Sequence, residues 1–225
     1  PLTTNFDELQ NSAFEFASKF AVPIREVGEA MEELAKTGLN QGEINSVLPS
    51  ALLAQNIGGI NPEDSVKYFT STIKQFNMEM SDSNKVIDQW SYLADKTRAD
   101  TVDMADGVTT SASAAKLAGV SFENLNAMVA TLVETTGKSG SEIGNTLKFA
   151  FNRVYTTGAP TLEKMGISTK NGDELRSFVD ILDEIASKRD KLSGKELLDI
   201  SEAIGEKRRA PVIQNLINNY AQYQE

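Results

Sequence analysis

The sequence predicts an all-α protein, a compact array of about ten short amphipathic helices joined by tight corners. Apolar residues recur every three or four positions along nearly the whole chain, which is the period of a helix with one buried face. Alternation of apolar and polar residues, typical of half-buried strands, is almost absent. A short extended segment is expected only near 166–173, where the helical period lapses.

Apolar stripes at helical spacing define the predicted elements in order. The first helix places Phe6, Leu9, Ala13, Phe16, Ala17 and Phe20 on one face, the fifth Val86, Ile87, Trp90, Leu93 and Ala94, and the ninth Phe178, Ile181, Leu182 and Ile185. Pro49 is expected to kink or split the third helix. No heptad pattern persists as in an extended coiled coil. The predicted helices are 5–20, 24–37, 41–56, 62–77, 82–97, 100–117, 122–136, 140–157, 174–190, 194–204 and 207–222.

Four breaks share one order: glycine, a branched aliphatic residue, then Asn or Ser. They start at Gly38, Gly59, Gly119 and Gly166. Glycine after a helix adopts the left-handed conformation without a side-chain clash, and the Asn or Ser side chain then caps the next helix. Glu43, three residues after Asn40, completes a capping box, and Pro62 follows Asn61 at a favoured first helical position. The first three sites therefore predict helix–corner–helix. At Gly166, an Asn-Gly pair follows so closely that the sequence does not decide whether a helix begins after the corner.

Two of these corners suggest an internal duplication. An ungapped alignment of 48–63 with 108–123 gives identities at Ala54/Ala114, Gly59/Gly119 and Glu63/Glu123. Duplication and shared corner chemistry both account for them. The domain boundary is predicted at the stretch from Gly158 to Gly172, rich in glycine and proline. This gives a helical core at 1–158 and a C-terminal helical segment at 159–225, packed on the first.

The composition excludes several function classes. The 225 residues include no histidine and no cysteine and carry a net charge of −10. Serine–histidine triads, cysteine–histidine dyads and ordinary zinc sites need residues that this chain lacks. No apolar run approaches the roughly 20 residues that span a bilayer. The chain begins at Pro1 without a visible targeting signal, and we expect it to be a fragment of a longer chain.

The acidic balance argues against sequence-specific nucleic-acid binding, which needs a basic surface. Two small basic clusters occur, Lys188-Arg189 with Lys191 and Lys207-Arg208-Arg209. Both are interpreted as solvated helix ends that complement the helix dipole.

Three fragments resemble catalytic or metal-binding motifs. Gly137-Lys138-Ser139 matches the end of a Walker A loop, but Leu132 stands where the loop needs its first glycine, so a helix corner is expected. Ser71 and Lys74 match the S-x-x-K motif of penicillin-binding proteins, and Lys36-Thr37-Gly38 matches their K-T-G motif. Here, however, the K-T-G precedes the serine motif and ends a helix, whereas in those enzymes it follows the serine motif and lies on a strand. Asp100, Asp103, Asp106 and Gly107 have helical rather than EF-hand spacing, which predicts a solvated acidic face.

The adjacent carboxylates Glu32/Glu33 and Asp183/Glu184 could serve as acid and base in a hydrolysis. This is not expected, because neighbouring side chains on a helix point apart. The sequence thus predicts a protein that is not an enzyme, with no catalytic, cofactor-binding or metal-binding residues and no cofactor.

The order of its segments gives the chain a family resemblance. Residues 114–125 (AAKLAGVSFENL) with 127–132 (AMVATL) resemble the A-x-x-A-G-x-S-x-E-x-L core of tailed-phage tail tape-measure proteins. Residues 140–148 (GSEIGNTLK) are similar to that family's glycine-containing turn into a helix. The succession continues through 162–167 (LEKMGI), 178–182 (FVDIL) and 204–211 (IGEKRRAP), where Ile204 replaces the usual Phe.

This resemblance implies a structural virion component that helps set tail length and organises tail tube and tail tip assembly. Its implied partners are the tail tube protein, tail assembly chaperones and tail-tip (distal tail) proteins. A homo-oligomer around the tail axis is implied, located in the virion and assembled in the host cytoplasm. Two alternatives remain, a non-phage helical adaptor module that binds a partner protein and a cell-wall hydrolase segment.

Overall fold

A computed structural model describes residues 6–220 and divides the chain into two compact units, 1–92 and 93–225. Within the described residues, eleven α-helices account for most of the chain and a single small hairpin provides the strands, so the predicted all-α class is confirmed. The predicted boundary between 158 and 159 lies inside the second unit and stays a prediction.

The first unit is built from helices whose apolar faces meet. They are α1 (Phe6–Phe20), α2 (Ile24–Lys36), α3 (Gln41–Gly58), α4 (Pro62–Phe76), a 3₁₀ turn (Met80–Asp82) and the start of α5 (Ser83–Lys96). Helices α2 and α3 both pack on α4. Their contact faces bury large side chains, since Leu34, Leu48, Leu52, Phe69 and Trp90 have no exposed surface. Burial of such side chains is the main stabilising term of the unit.

Helix α3 runs without a break through Pro49, so the split that the sequence predicts there does not occur. Proline inside a helix costs roughly 3 kcal/mol. Val47, Leu48, Ala51 and Leu52 around it are fully buried, and each buried aliphatic side chain contributes about 1.5–3 kcal/mol. Tertiary burial therefore outweighs the local penalty.

The second unit contains six helices after α5 and one hairpin. They are α6 (Thr101–Leu117), α7 (Phe122–Thr136), α8 (Gly140–Arg153), α9 (Ala159–Lys164), β1 (Lys170–Asn171), β2 (Glu174–Leu175), α10 (Phe178–Lys188), a 3₁₀ turn (Arg189–Lys191) and α11 (Gly194–Asn218). The strands pair antiparallel, with Lys170 opposite Leu175 and Asn171 opposite Glu174. The extended segment expected near 166–173 is thus present, as the first strand and turn of this hairpin.

Two predicted boundaries around the hairpin are wrong, and one helix was not predicted. Helix α8 ends at Arg153 rather than 157, and the short helix α9 was not predicted. Pro160 sits in the first turn of α9, where its missing N–H costs nothing, and Leu162 is fully buried. Helix α10 begins at Phe178 rather than 174, because β2 takes the preceding residues and Ser177 caps the helix.

The break predicted between 204 and 207 appears inside α11 as one non-helical residue. Glu206 has φ 57° and ψ 167°, which separates two helical stretches. The second stretch ends at Asn218, before the predicted end at 222, which lies outside the described residues.

Candidate functional site

The predicted glycine corners have the expected backbone geometry. Gly38, Gly59 and Gly119 all have positive φ, at 81°, 65° and 69°. The Asn40 side chain accepts from the Glu43 amide at 3.1 Å, and the Asn40 amide donates to the Glu43 carboxylate at 2.8 Å. These two bonds form the predicted capping box. Asn61 and Ser121 cap the helices after the other two corners. The three helix–corner–helix predictions are confirmed.

Gly166 is also left-handed, with φ 72°, but it leads into the hairpin rather than a helix. The Ile167 amide donates to the Leu162 carbonyl at 2.9 Å and closes the end of α9. At Gly137-Lys138-Ser139 the interpretation as a corner is confirmed: Gly137 ends α7 with φ 66°, and Ser139 caps α8.

The tightest packing in the second unit is the crossing of α6 and α8. A Cβ added at Gly144 would lie 2.6 Å from the carbonyl oxygen of Gly107, and one added at Gly140 would overlap the carbonyl oxygen of Asp103. The two backbones thus touch directly, which only glycine permits. Because Gly140 and Gly144 are one turn apart, they lie on the same face of α8.

Asp103 belongs to this crossing, so the expectation of a solvated acidic face is wrong for it. Its carboxylate accepts from the Gly140 amide at 2.6 Å, while its own amide donates to Asp100 at 2.7 Å. Asp103 therefore binds the first turn of α8, and Asp100 caps α6. The sequence signal was the spacing of Asp103 and Gly107 on one helix and of Gly140 and Gly144 on another. Only the fold shows that these faces meet.

The hairpin is fixed to the end of α6 by one tyrosine. The Tyr155 hydroxyl lies 3.1 Å from the Ala118 carbonyl and 2.8 Å from the Arg176 carbonyl. The Phe178 amide donates to the same Ala118 carbonyl at 2.8 Å. Burial, with a smaller effect of the Asp180 charge, raises the pKa of Tyr155 to about 12. The hydroxyl thus keeps its proton and remains a donor at neutral pH.

The cluster Lys207-Arg208-Arg209 is only partly a solvated helix end. Lys207 and Arg208 are exposed, but the Arg209 guanidinium lies over the Phe149 ring, 4.2 Å from its centroid. Arg153, on the same helix as Phe149, lies 5.4 Å from the ring. Sequence reasoning missed this three-residue cluster because Arg209 is distant in the chain from Phe149 and Arg153.

The residues of the catalytic fragments have helix-stabilising partners. The Ser71 hydroxyl accepts from the Gln75 amide group at 2.6 Å. The Lys74 ammonium donates to the Thr37 carbonyl at 3.2 Å, at the end of α2. The fold brings Lys74 to the K-T-G segment, but the contact is to the backbone. Ser71 and Lys74 here stabilise helix structure.

The four carboxylates of these two pairs contact neighbouring polar side chains. The Lys36 ammonium lies 2.9 Å from Glu32 and 3.6 Å from Glu33. Asp183 accepts from the Tyr220 hydroxyl at 2.9 Å. Glu184 accepts from Lys188 at 2.6 Å and also from Arg176. Hydrogen bonds from Lys188 first, and from Arg176, hold the pKa of Glu184 below its usual value. Glu32 and Glu33 thus share one lysine, whereas Asp183 and Glu184 have separate partners.

Residues 6–220 contain neither a metal-binding cluster nor a membrane-spanning helix. No group of three or more acidic residues there is arranged to hold a metal ion. None of the helices in this part of the chain has the length and apolar character to cross a bilayer.

The geometry therefore defines a scaffold of packed helices, and the comparison with known proteins gives its class, a structural protein of phage tails. Residues 10–205 match the family described as phage-related minor tail protein, and the chain belongs to that family. The predicted resemblance to the tail tape-measure family is thereby confirmed.

One curated relative is the "Tape measure protein" of Pneumococcus phage Dp-1, which is 26% identical over 163 residues. The alignment covers 71% of this chain and 14% of the relative, so the chain corresponds to a small part of that protein. No solved structure matches the chain.

Proposed function

We propose that this chain is the compact core domain of a tail tape-measure protein, which helps set tail length and organises tail tube and tail tip assembly. The family match over residues 10–205 carries this proposal, and the similarity to a relative named tape measure protein supports it. The match also favours a tail role over the non-phage adaptor module.

The helix lengths support a core domain rather than the measuring rod. Among the described residues the longest helix, α11, has 25 residues. Even if straight it would extend only about 38 Å, at about 1.5 Å per residue. The glycine corners turn the chain at short intervals, so the measuring span belongs to other parts of the protein.

The partners of this domain are the tail tube protein, tail assembly chaperones and tail-tip proteins. It acts without catalysis, as a homo-oligomer around the tail axis, and is assembled in the host cytoplasm into the virion. Light scattering on the purified chain tests the oligomer, because an adaptor module would remain a monomer at every concentration.

The test in the phage uses a substitution that disrupts the α6–α8 crossing. Gly140→Val in the phage gene is expected to give virions without tails or tails of irregular length in negative-stain electron microscopy. A side chain at Gly140 overlaps the Asp103 backbone, so the domain no longer folds correctly.

The matched control is Gly28→Ala, at an exposed position of α2 where an added Cβ meets nothing within 4 Å. It should give tails of wild-type length. Tails of normal number and length in the Gly140→Val phage, with the purified variant shown to be misfolded, would contradict the proposal.

A further inference from the structure

Two arginines hold one glutamate on the surface of the second unit. The guanidinium groups of Arg153 and Arg209 both face the Phe149 ring. Arg153 donates to one oxygen of the Glu206 carboxylate at 3.1 Å, and Arg209 lies 3.9 Å from the other. About a quarter of each arginine side chain is exposed, 23% and 29%. The pair is therefore a preformed carboxylate site that solvent and ligands can reach.

The residue that occupies this site has a strained backbone. Glu206 has φ 57° and ψ 167°, a region that only glycine adopts readily. In an unbroken helix the Ala203 carbonyl would accept from the Lys207 amide. The Arg153 side chain donates to that carbonyl at 3.0 Å. Arg153 thus stabilises both the broken turn and the carboxylate that the turn presents.

A groove beside Arg209 extends the positive charge. It has a volume of about 280 Å³ and lies between α8 and the second half of α11. Its charged lining is Lys138, Glu142, Arg208 and Arg209. Glu142 is paired with Lys138 at 3.1 Å. The groove is therefore positive on a chain whose net charge is −10.

We propose that this groove and the Arg153–Arg209 pair bind an acidic segment of a partner protein, and that Glu206 is an internal competitor for the same site. The glutamate already present shows which chemistry the arginines accept. A carboxylate from another protein makes the same contacts without the strained backbone. Binding would therefore displace Glu206 and free the turn inside α11.

The experiment measures the binding of fluorescein-labelled hexaglutamate to the purified 225-residue chain by fluorescence anisotropy. Binding is expected at low salt and should weaken as salt rises. Arg209→Gln and Arg153→Gln should each weaken it by about three- to tenfold. Glu206→Gln should tighten it by about three- to tenfold, since the internal competitor is removed while the arginines remain. Glu206→Gly should tighten it similarly, because glycine also lacks the competing carboxylate, and it adopts the positive φ of this position without strain.

Matched controls separate this site from general charge effects. Lys195→Gln and Glu163→Gln remove the same charges at exposed positions outside the groove and should change affinity less than about twofold. Far-UV circular dichroism of each variant checks that the helices remain. If Arg153→Gln loses its helical signal, the Arg209 and Glu206 variants decide the result.

Three results would overturn the proposal. The first is an equal gain in affinity for Glu206→Gln and Glu163→Gln. The second is equally tight binding of oligothymidine of matched charge, which would show a general polyanion surface. The third is self-association of the chain that Arg209→Gln abolishes, which would make a second copy the occupant. The assay uses no other phage protein, so its failure leaves the proposed tail role untouched.

Discussion

The two units reach the same helical class with different cores. In residues 6–92, large side chains fill the space between helices, and the buried rings of Phe69 and Trp90 stack with centroids 5.5 Å apart. In residues 93–220, α6 and α8 cross with their backbones in contact at Gly107, Gly140 and Gly144. The second unit also buries large rings, since Phe151 and Phe178 pack edge to face with centroids 4.9 Å apart, but its α6–α8 crossing has no room for a side chain. Removed volume should therefore destabilise the first core, whereas atoms added at the crossing should destabilise the second unit.

The largest effect is expected from removing volume in the first unit. Trp90→Ala should lower the free energy of unfolding by about 3–5 kcal/mol, because it leaves a cavity beside Phe69. Urea denaturation followed by circular dichroism measures this. Ile57→Ala, at a half-exposed position on α3, should cost less than about 1 kcal/mol. Equal losses for the two variants would show that the ring stack is not the core of this unit.

Adding a single methyl group at the α6–α8 crossing should have the next largest effect. Gly140→Ala places a Cβ against the Asp103 carbonyl and should destabilise by about 2–4 kcal/mol. Gly28→Ala adds the same group to an open helix position in the first unit and should stabilise by about 0.5–1 kcal/mol. Thermal denaturation measures both variants, and melting midpoints that shift in the same direction would contradict this difference between the two sites.

The corners allow a finer comparison. Gly59→Ala introduces a side chain at φ 65° in open space, whereas a Cβ at Gly119 would lie 3.0 Å from the Ser177 side chain. The first should cost about 1–2 kcal/mol from backbone strain alone. The second should cost more, because Ser177 or the hairpin must also shift. Chemical denaturation of both variants tests the order. A smaller loss at Gly119 would refute the close packing there.

The smallest effect concerns pH and belongs to the second unit. The lowered pKa of Glu184 means that its hydrogen bonds with Lys188 and Arg176 stabilise the fold above the unfolded pKa, near 4.5. That contribution is lost as the pH falls through the folded pKa. Glu184→Gln should therefore flatten the acid side of the stability profile, by less than about 1 kcal/mol. Denaturation midpoints from pH 6 down to pH 3 measure this, with Glu163→Gln as control. Stability profiles with the same pH dependence for the wild type, Glu184→Gln and Glu163→Gln would show that Glu184 makes no such contribution.

The corners could be predicted because their chemistry is local. Residues close in sequence determine both features of a corner. Gly38 adopts the left-handed conformation, and the Asn40 side chain accepts from the amide of Glu43, three residues later. The expected solvation of Asp103 was wrong because its partner, Gly140, lies 37 residues away. The cluster of Arg153 with Glu206 spans 53 residues. Helix α9 was not predicted, because its first-turn Pro160 and the neighbouring glycines were interpreted as a domain boundary.

By itself, the sequence determined the helical class, most helix ends and the family resemblance, because hydrophobic period, caps and positive-φ glycines act within a few residues. The tertiary structure alone decided which faces meet. It placed Gly140 and Gly144 against α6, carried α3 through Pro49 and brought two arginines to Glu206. These outcomes depend on packing between distant segments, where burial and direct backbone contact outweigh local preference.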